Sequence, residues 1–387
     1  MEKKIDVLIK GQGIVGMTLA LHLSKFHLQI GLTLGHQPQK ANTKQDARYF
    51  ALNNASKKIL EDVLCWPGGH DVTPLRAMQI FGDGLSELTF SSPIGHSPLA
   101  WIVKAASLHT QLRHQIGLTS NITWLEDHEK SQAPLLLICE GKHSAMRQQL
   151  GVSFETQHYQ QHAFATLIDT GVAHHGQAIQ WFIHGESGAE ILGLLPCEGI
   201  QSSVMSMIWS LPSQKAFEFQ MMSEAQMAQE IARITGSRFP QLKIIGPSAL
   251  WPLAASKAQQ WVGKLDSKQS WALLGDSAHT VHPLAGMGLN LGLGDVGEMT
   301  RLFKHRAEKE FWRKTNDLYL LRQYERARKT DILSSWYFCD AIQQLFSHPN
   351  EMIKSFRNLG LNSVQQLQFV KSFFMQQAGS SIKGTNA

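Results

Sequence analysis

The chain has 387 residues, 43% of them hydrophobic, with a formal net charge of +5 and four cysteines. This length and apolar content exclude a disordered protein and supply two or three domains, or one larger interleaved unit, with a sizeable core. Lysines and arginines are scattered, without an arginine-rich run or an aromatic nucleic-acid motif, so no nucleic-acid partner is expected. The mild basicity suits an anionic ligand or an acidic membrane surface. Apolar runs such as Leu135 to Cys139 fall far short of the ~18 residues a spanning helix needs. Met1 to Ile5 leads into a strand, not a signal-peptide core, and a cytoplasmic location is expected. Cys65, Cys139, Cys197 and Cys339 show no paired spacing, which predicts reduced thiols and no disulfide framework or zinc site.

Ile5 to Ile9 reads as a first strand, Gly11 to Gly16 as a turn, and Met17 to Phe26 as a helix burying Leu19, Leu23 and Phe26. Gly11-Gln12-Gly13-Ile14-Val15-Gly16 satisfies G-x-G-x-x-G in the required strand-to-helix context. The backbone N–H groups of Gly11, Gly13, Ile14, Val15 and Gly16 are therefore candidates to hold a pyrophosphate. The acid that should end the second strand and bind a ribose is replaced by Gly35 in Leu32-Thr33-Leu34-Gly35-His36. His36 or Gln37 would have to substitute, without a carboxylate's charge-assisted hydrogen bonds.

Asp46-Ala47-Arg48-Tyr49-Phe50-Ala51-Leu52, followed by Ser56, reads on its own equally well as a helix-terminal ion pair or as an anion-holding segment. Leu136 to Arg147 puts Glu140-Gly141 after an apolar run and before a spaced Ser144 and Arg147; alone, a buried strand and a charged turn is the plainer reading. From about 151 to 262 short apolar runs alternate with polar turns, as in an antiparallel sheet, with strands expected at 163–168, 178–183, 189–195 and 203–211.

Trp271 to Leu274 reads as a buried strand, and the run Gly275-Asp276-Ser277-Ala278-His279 through Gly292 turns tightly into a helix. Asp276 at the strand end suits ligand hydroxyls, while Gly286 and Gly288 let backbone N–H groups approach an anion. His279 and His282 lack a Cys or carboxylate at ligand spacing, and His158 and His162 read as a surface or sheet-domain pair, so no metal is expected. After Asp295 the pattern is helical, through 318–344 and 364–375, before a polar tail expected to fray.

Together these motifs closely resemble FAD-dependent aromatic hydroxylases of the para-hydroxybenzoate hydroxylase superfamily. The elements His282-Pro283-Leu284-Ala285-Gly286 and Gly288-Leu289-Asn290-Leu291-Gly292 look most like the ubiquinone-biosynthesis hydroxylases. The resemblance extends to Trp251-Pro252-Leu253, His174 with Ala178 and Phe182, Tyr324 to Arg328, and Arg357 to Leu361. It implies an α/β fold: a Rossmann-like FAD-binding domain (1–75, 100–150, 263–320) interrupted by a mainly antiparallel substrate sheet (76–99, 151–262), with a helical segment at 321–387. It implies FAD held by the first glycine turn, Arg48, Glu140, Gly275, Asp276, Pro283, Gly286, Gly288, Leu289 and Asn290. Arg48, His282 and Pro283 are the catalytic candidates, Pro283 leaving room at the reactive flavin edge.

The implied activity is reduction of FAD by NAD(P)H, addition of O2 at the flavin C4a, and hydroxylation of a polyprenyl phenol. A lipophilic phenol would come from the inner membrane, where the protein is expected to sit peripherally, in a quinone-biosynthesis complex. Val364, Leu367, Val370, Phe373 and Phe374, with Lys354, Arg357 and Lys371 nearby, are the candidate contact, although an ordinary packed helix explains them too. Lys10, Gly35, Glu140, Glu186-Ser187 and Met287 depart from the family pattern, and weakened FAD binding is expected. Two other readings fit the same residues: a non-catalytic scaffold in a quinone-synthesis complex, and another flavin oxidoreductase such as a prenyl-lipid reductase.

Overall fold

A computed structural model describes residues 4–33, 48–82, 87–92, 96–126, 133–185, 188–281 and 288–347. The expectations placed on Gly35, His36, Gln37, Asp46, Glu186, Ser187, His282, Pro283, Gly286, Met287 and 354–375 lie outside these residues.

Short apolar runs build a six-stranded sheet. Val7–Lys10 lies at its centre, parallel to Ile30–Thr33 and Leu135–Ile138, with Val7 opposite both Ile30 and Leu135. Ile122–Leu125 extends one side; Ser270–Leu273 and the antiparallel Val262–Lys264 extend the other. Leu135–Ile138 is buried at every position, as a strand covered on both faces must be. The helix Ile14–Ser24 is buried almost all round, and its His22 Nε2 donates to the Ile59 carbonyl at 2.9 Å. This helix begins at Ile14, a turn earlier than its apolar period suggests, because Gly13 already has the extended backbone of an N-cap. The strand before it ends at Lys10.

The second sheet has nine strands. Its order runs His279–Thr280, Ala249–Ala258, Phe154–Asp169, Val204–Pro212, Gly188–Pro196, Gln177–Gly185, Ala77–Phe81, Glu87–Ser91, with Lys243–Ile244 beside Phe154–Asp169. All four expected strands of the 151–262 interval are present, the first lengthened to Phe154–Asp169 and bulged between His158 and His162. Gln177–Gly185 pairs in parallel with Ala77–Phe81, which comes from much earlier in the chain.

Helices Ser213–Gln220 and Glu224–Ile234 cover one face of this sheet, setting Phe219, Met227 and Ile231 against Phe164, Leu192 and Trp209. Each such buried side chain contributes roughly 1.5–3 kcal/mol. The opposite face meets a three-stranded sheet of Tyr49–Leu52, Ala100–Lys104 and Val72–Leu75 through Tyr49, Ile102, Leu167, Leu195 and Val204. Helices Gly288–Lys309 and Leu318–Ser347 follow, the first packing on Ile14–Ser24. The architecture is the α/β arrangement expected. Among the described residues no helix is long and apolar enough to cross a membrane. Cys65, Cys139 and Cys197 are buried free thiols, and burial pushes the Cys65 thiol up to about 11.

Candidate functional site

The carboxyl ends of Val7–Lys10, Leu135–Ile138 and Ser270–Leu273 bring the glycine motifs together. Gly11 has φ +114°, and a Cβ there would strike the Cys139 carbonyl oxygen at 2.2 Å, so only glycine permits this approach of turn to strand. Gly13 differs: an ideal Cβ on it meets nothing within 4 Å, no side chain caps the helix it opens, and the first turn carries no acid. Uncapped N–H groups beside open space are a binding surface for an anion. Val15 ties this turn to the last motif. A Cβ on Gly292 would meet Val15 Cγ2 at 2.7 Å, and one on Gly275 at 3.4 Å.

Gly275 takes φ +60° and starts the single turn Gly275–Ser277. Asp276 on that turn is solvent-exposed, and no hydrogen bond or ion pair joins it to another described residue. Protein nevertheless surrounds it, and burial pushes its carboxyl above the usual carboxylate range, with His279, Lys142 and Arg48 pulling the other way and Asp295 adding to the rise. Exposed and unpartnered among the described residues, this carboxylate is available to ligand hydroxyls.

Sequence reasoning missed what supports that turn. Asp295, fully buried inside Gly288–Lys309, accepts from the Gly275 N–H at 2.7 Å and from His279 Nε2 at 2.8 Å, while its other oxygen accepts from Arg328 Nε at 2.7 Å. Burial alone would raise the Asp295 carboxyl; His279 and Arg328 together outweigh it and hold it below the usual range. His279 also stacks on Trp261 at 5.0 Å between ring centroids. Through Asp295 it is tied to the Gly275 turn.

Glu140 is engaged within the protein. Its Oε2 accepts from Ser144 Oγ at 2.7 Å and from the Met146 N–H at 2.9 Å, bracing the short helix Ala145–Gln149. Arg147 from this helix is buried over the Phe154 ring, donating to the carbonyls of Ser277 at 3.0 Å and Lys142 at 2.8 Å. The glutamate's extra reach serves the protein, and the motif holds Gly275–Ser277 from the side opposite Asp295.

The Asn290 side chain is likewise engaged within the protein. Its Oδ1 accepts from the Asn53 N–H at 3.0 Å and Ser56 Oγ at 2.7 Å, and its Nδ2 donates to the Ala51 carbonyl at 2.7 Å. The side chain fastens the start of the last helix to the segment carrying Arg48, leaving only its backbone for a cofactor. Arg48 is exposed just before Tyr49–Leu52, its guanidinium 5.7 Å from the Phe50 ring, within electrostatic reach of Asp276. Gly288 leaves open space at its Cα, and Leu289 packs partly into the core. The structure thus brings Gly11 to Gly16, Arg48, Gly275, Asp276 and Gly288 to Asn290 to one region. Elsewhere, His162 Nδ1 bonds Ser213 Oγ at 2.9 Å and His158 is exposed, each remote in role from that region.

An uncapped helix above a glycine turn, an unpartnered carboxylate at a neighbouring strand end and a second open helix start fit a dinucleotide with sugar-like hydroxyls between its ends. These features define a flavin-binding α/β protein. Residues 97–330 match the family described as FAD binding domain; the chain belongs to that family, and FAD is its cofactor. The resemblance to ubiquinone-biosynthesis hydroxylases is borne out. The chain is 25% identical to ubiquinone hydroxylase UbiL of Rhodospirillum rubrum, over 99% of this chain and 91% of that protein. It is 25% identical to 3-demethoxyubiquinol 3-hydroxylase of Escherichia coli, over 95% and 96%. Among solved structures, p-nitrophenol 4-monooxygenase PnpA of Pseudomonas putida matches with a TM-score of 0.70 at 13% identity, covering 99% of this chain and 100% of that one. The flavin-dependent brominase Bmp2 matches with a TM-score of 0.71 at 12% identity, over 97% and 94%. These two likenesses establish the fold.

Proposed function

We propose that this protein is an FAD-dependent monooxygenase that hydroxylates the aromatic ring of a polyprenyl phenol in ubiquinone biosynthesis, with NAD(P)H as reductant and O2 as co-substrate. The observation that carries this reading is similarity along nearly the whole chain to relatives named for ubiquinone hydroxylation. We assign cofactor binding to 1–75, 100–150 and 263–320, substrate binding to 76–99 and 151–262, and treat 321–387 as a separate C-terminal segment.

FAD, when bound, supplies the redox chemistry with NAD(P)H and O2. The protein's part is to bind, orient and exclude water. N–H groups of Gly11, Gly13, Ile14, Val15 and Gly16 receive the pyrophosphate, and Asp276 accepts from the ribityl hydroxyls. The helix start at Gly288, Leu289 and Asn290 turns its positive end towards the flavin ring, where it stabilises negative charge, and Gly286 is assigned to the same cofactor contact by its place in the motif. Arg48 adds a fixed cation, Glu140 acts through the turn it braces, and Pro283 and His282 are assigned to the reacting edge from their place in the sequence motif. The protein works in the cytoplasm, peripherally at the inner membrane, within a quinone-biosynthesis complex.

The test compares turnover of a prenylated phenol with that of its unprenylated ring in one detergent, following NAD(P)H oxidation and hydroxylated product. Each buried tail methylene adds about 0.8 kcal/mol, so the prenylated phenol should be used far more efficiently. Equal efficiency on the bare ring would move the assignment to a soluble-aromatic hydroxylase. Absence of NAD(P)H oxidation with either, despite bound FAD, would point to the scaffold.

A further inference from the structure

The nine-stranded sheet has two unlike faces. Phe164, Trp181, Leu192 and Trp209 belong to the core beneath the two helices. Strand alternation therefore turns their neighbours the other way. There, register aligns Gln180, Gly193, Ile208 and Ala165 in one row across four strands, and Phe182, Ile191, Ser210 and Ala163 in the next. This is the face that meets Tyr49 and Ile102 further along.

The centre of the two rows is made of small residues, Gly193, Ala163 and Ala165, bordered by Phe182 and Ile208. A Cβ on Gly193 would meet only the Ile208 carbonyl oxygen, at 3.7 Å. Two polar side chains stand among them almost wholly buried, Gln180 at 9% exposure and Ser210 at 5%. Neither side chain is hydrogen-bonded to another described residue. Neither polar group is sealed off without a partner, so each keeps a small opening to solvent through which a ligand can complete it. Neither row holds a charged residue.

We propose that Gln180 and Ser210 are specificity-determining residues that hydrogen-bond the oxygen substituents of an uncharged aromatic ring seated over Gly193. Both groups donate and accept, so they suit neutral hydroxyl and methoxy oxygens. With no cation in either row, the ligand is a ring bearing two or more neutral oxygens and not an aromatic carboxylate. The inference rests on the aromatic-hydroxylase reading for its role, but its binding test does not require turnover.

The experiment titrates FAD-loaded protein, without reductant, with a prenylated methoxyphenol, its analogue lacking the methoxy group, and a matched benzoate, reading the flavin absorbance change. Wild type should bind the methoxyphenol tightest and the benzoate weakest. Gln180→Leu and Ser210→Ala should each weaken methoxyphenol binding roughly five- to twentyfold and reduce the preference over the simpler phenol. Their melting temperatures should stay level, because no hydrogen bond among the described residues is removed. Gly193→Val should abolish binding of the ring while the protein still melts cooperatively and retains FAD.

Unchanged affinity in Gln180→Leu and Ser210→Ala overturns the proposal. So does a loss of affinity matched by a fall in melting temperature, or tighter binding of the benzoate. Gln180-dependent binding without hydroxylation would instead sink the proposed function and leave this site standing. Hydroxylation with unchanged KM and ring preference in Gln180→Leu would sink this site alone.

Discussion

Arg147 donates to the carbonyl oxygen of Ser277 at 3.0 Å, joining residues 130 positions apart in sequence. One guanidinium thereby ties the loop after Leu135–Ile138 to the turn after Ser270–Leu273. Asp276 is placed by this tie on one side and by the Asp295 carboxylate on the other.

Arg147→Met should therefore cost about 3 kcal/mol of stability and also loosen FAD. The substitution leaves the buried Ser277 carbonyl and the part-buried Lys142 carbonyl without their donor, while Phe154 still has an apolar partner. Denaturant unfolding and cofactor retention through gel filtration read the two effects. Full FAD occupancy in the variant would separate Arg147 from the placement of Asp276.

Asp276→Ala should behave differently. Asp276 has no hydrogen-bond partner among the described residues, and its carboxyl is strained upward by burial, so its loss should leave the apoprotein as stable as before or more so. FAD affinity should drop roughly ten- to a hundredfold. Fluorescence of released flavin checks it, and unaltered affinity would mean that other groups hold the ribityl chain.

Asp295→Asn should cost about 3 kcal/mol and make the FAD complex heat-labile, because Arg328 is left as a buried cation beside a neutral amide. Asp331 still pairs with Arg328, which limits the damage. Melting curves with and without FAD test this; a variant as stable as wild type would make the network dispensable.

Stability should fall on mild acidification. Burial pulls His22 and His174 below the ordinary histidine value, with the Ile59 and Cys197 carbonyls offsetting part of the shift. The unfolded chain takes up these protons near pH ~6.5 and the folded chain only at lower pH. Their contribution is thus complete above about pH 6.5 and lost as pH falls towards the folded values. Asp295 adds a second loss, below about pH 4, as its carboxylate is protonated. Unfolding free energies between about pH 8 and about pH 5 should show the first slope, flattened in His22→Gln with His174→Gln. A flat wild-type profile over that range would contradict it.

Gly35→Glu tests the departure from the family pattern. Restoring an acid after the second strand should tighten FAD roughly tenfold if the ribose contact is missing. An unchanged dissociation constant would mean that another group already makes it.

The parts of this fold that depend on short stretches were legible. Alternation along 163–168, 178–183, 189–195 and 203–211 marks strands because a pleated, half-buried ribbon imposes a period of two on neighbours. Gly11 and Gly275 were legible because a left-handed backbone admits few residues. The supports of the site were not. Asp295 looks like any acid in a helix until Gly275 and His279 arrive from the preceding turn, and Arg328 from the next helix. The intraprotein partners of Glu140 and Asn290, Ser144 and Met146 or Ala51 and Ser56, likewise emerge only when the backbone is folded.

The parallel seam between Gln177–Gly185 and Ala77–Phe81 has a consequence for how the chain assembles. A fragment of 151–262 would leave behind Ala77–Phe81 and Glu87–Ser91, baring the backbone of Gln177–Gly185 as an unpaired edge open to self-association. The large sheet is completed only when segments about a hundred positions apart meet, so closure is slow relative to local structure. Synthesis from the ribosome then cannot finish one half before beginning the other, and the two sheets must mature together.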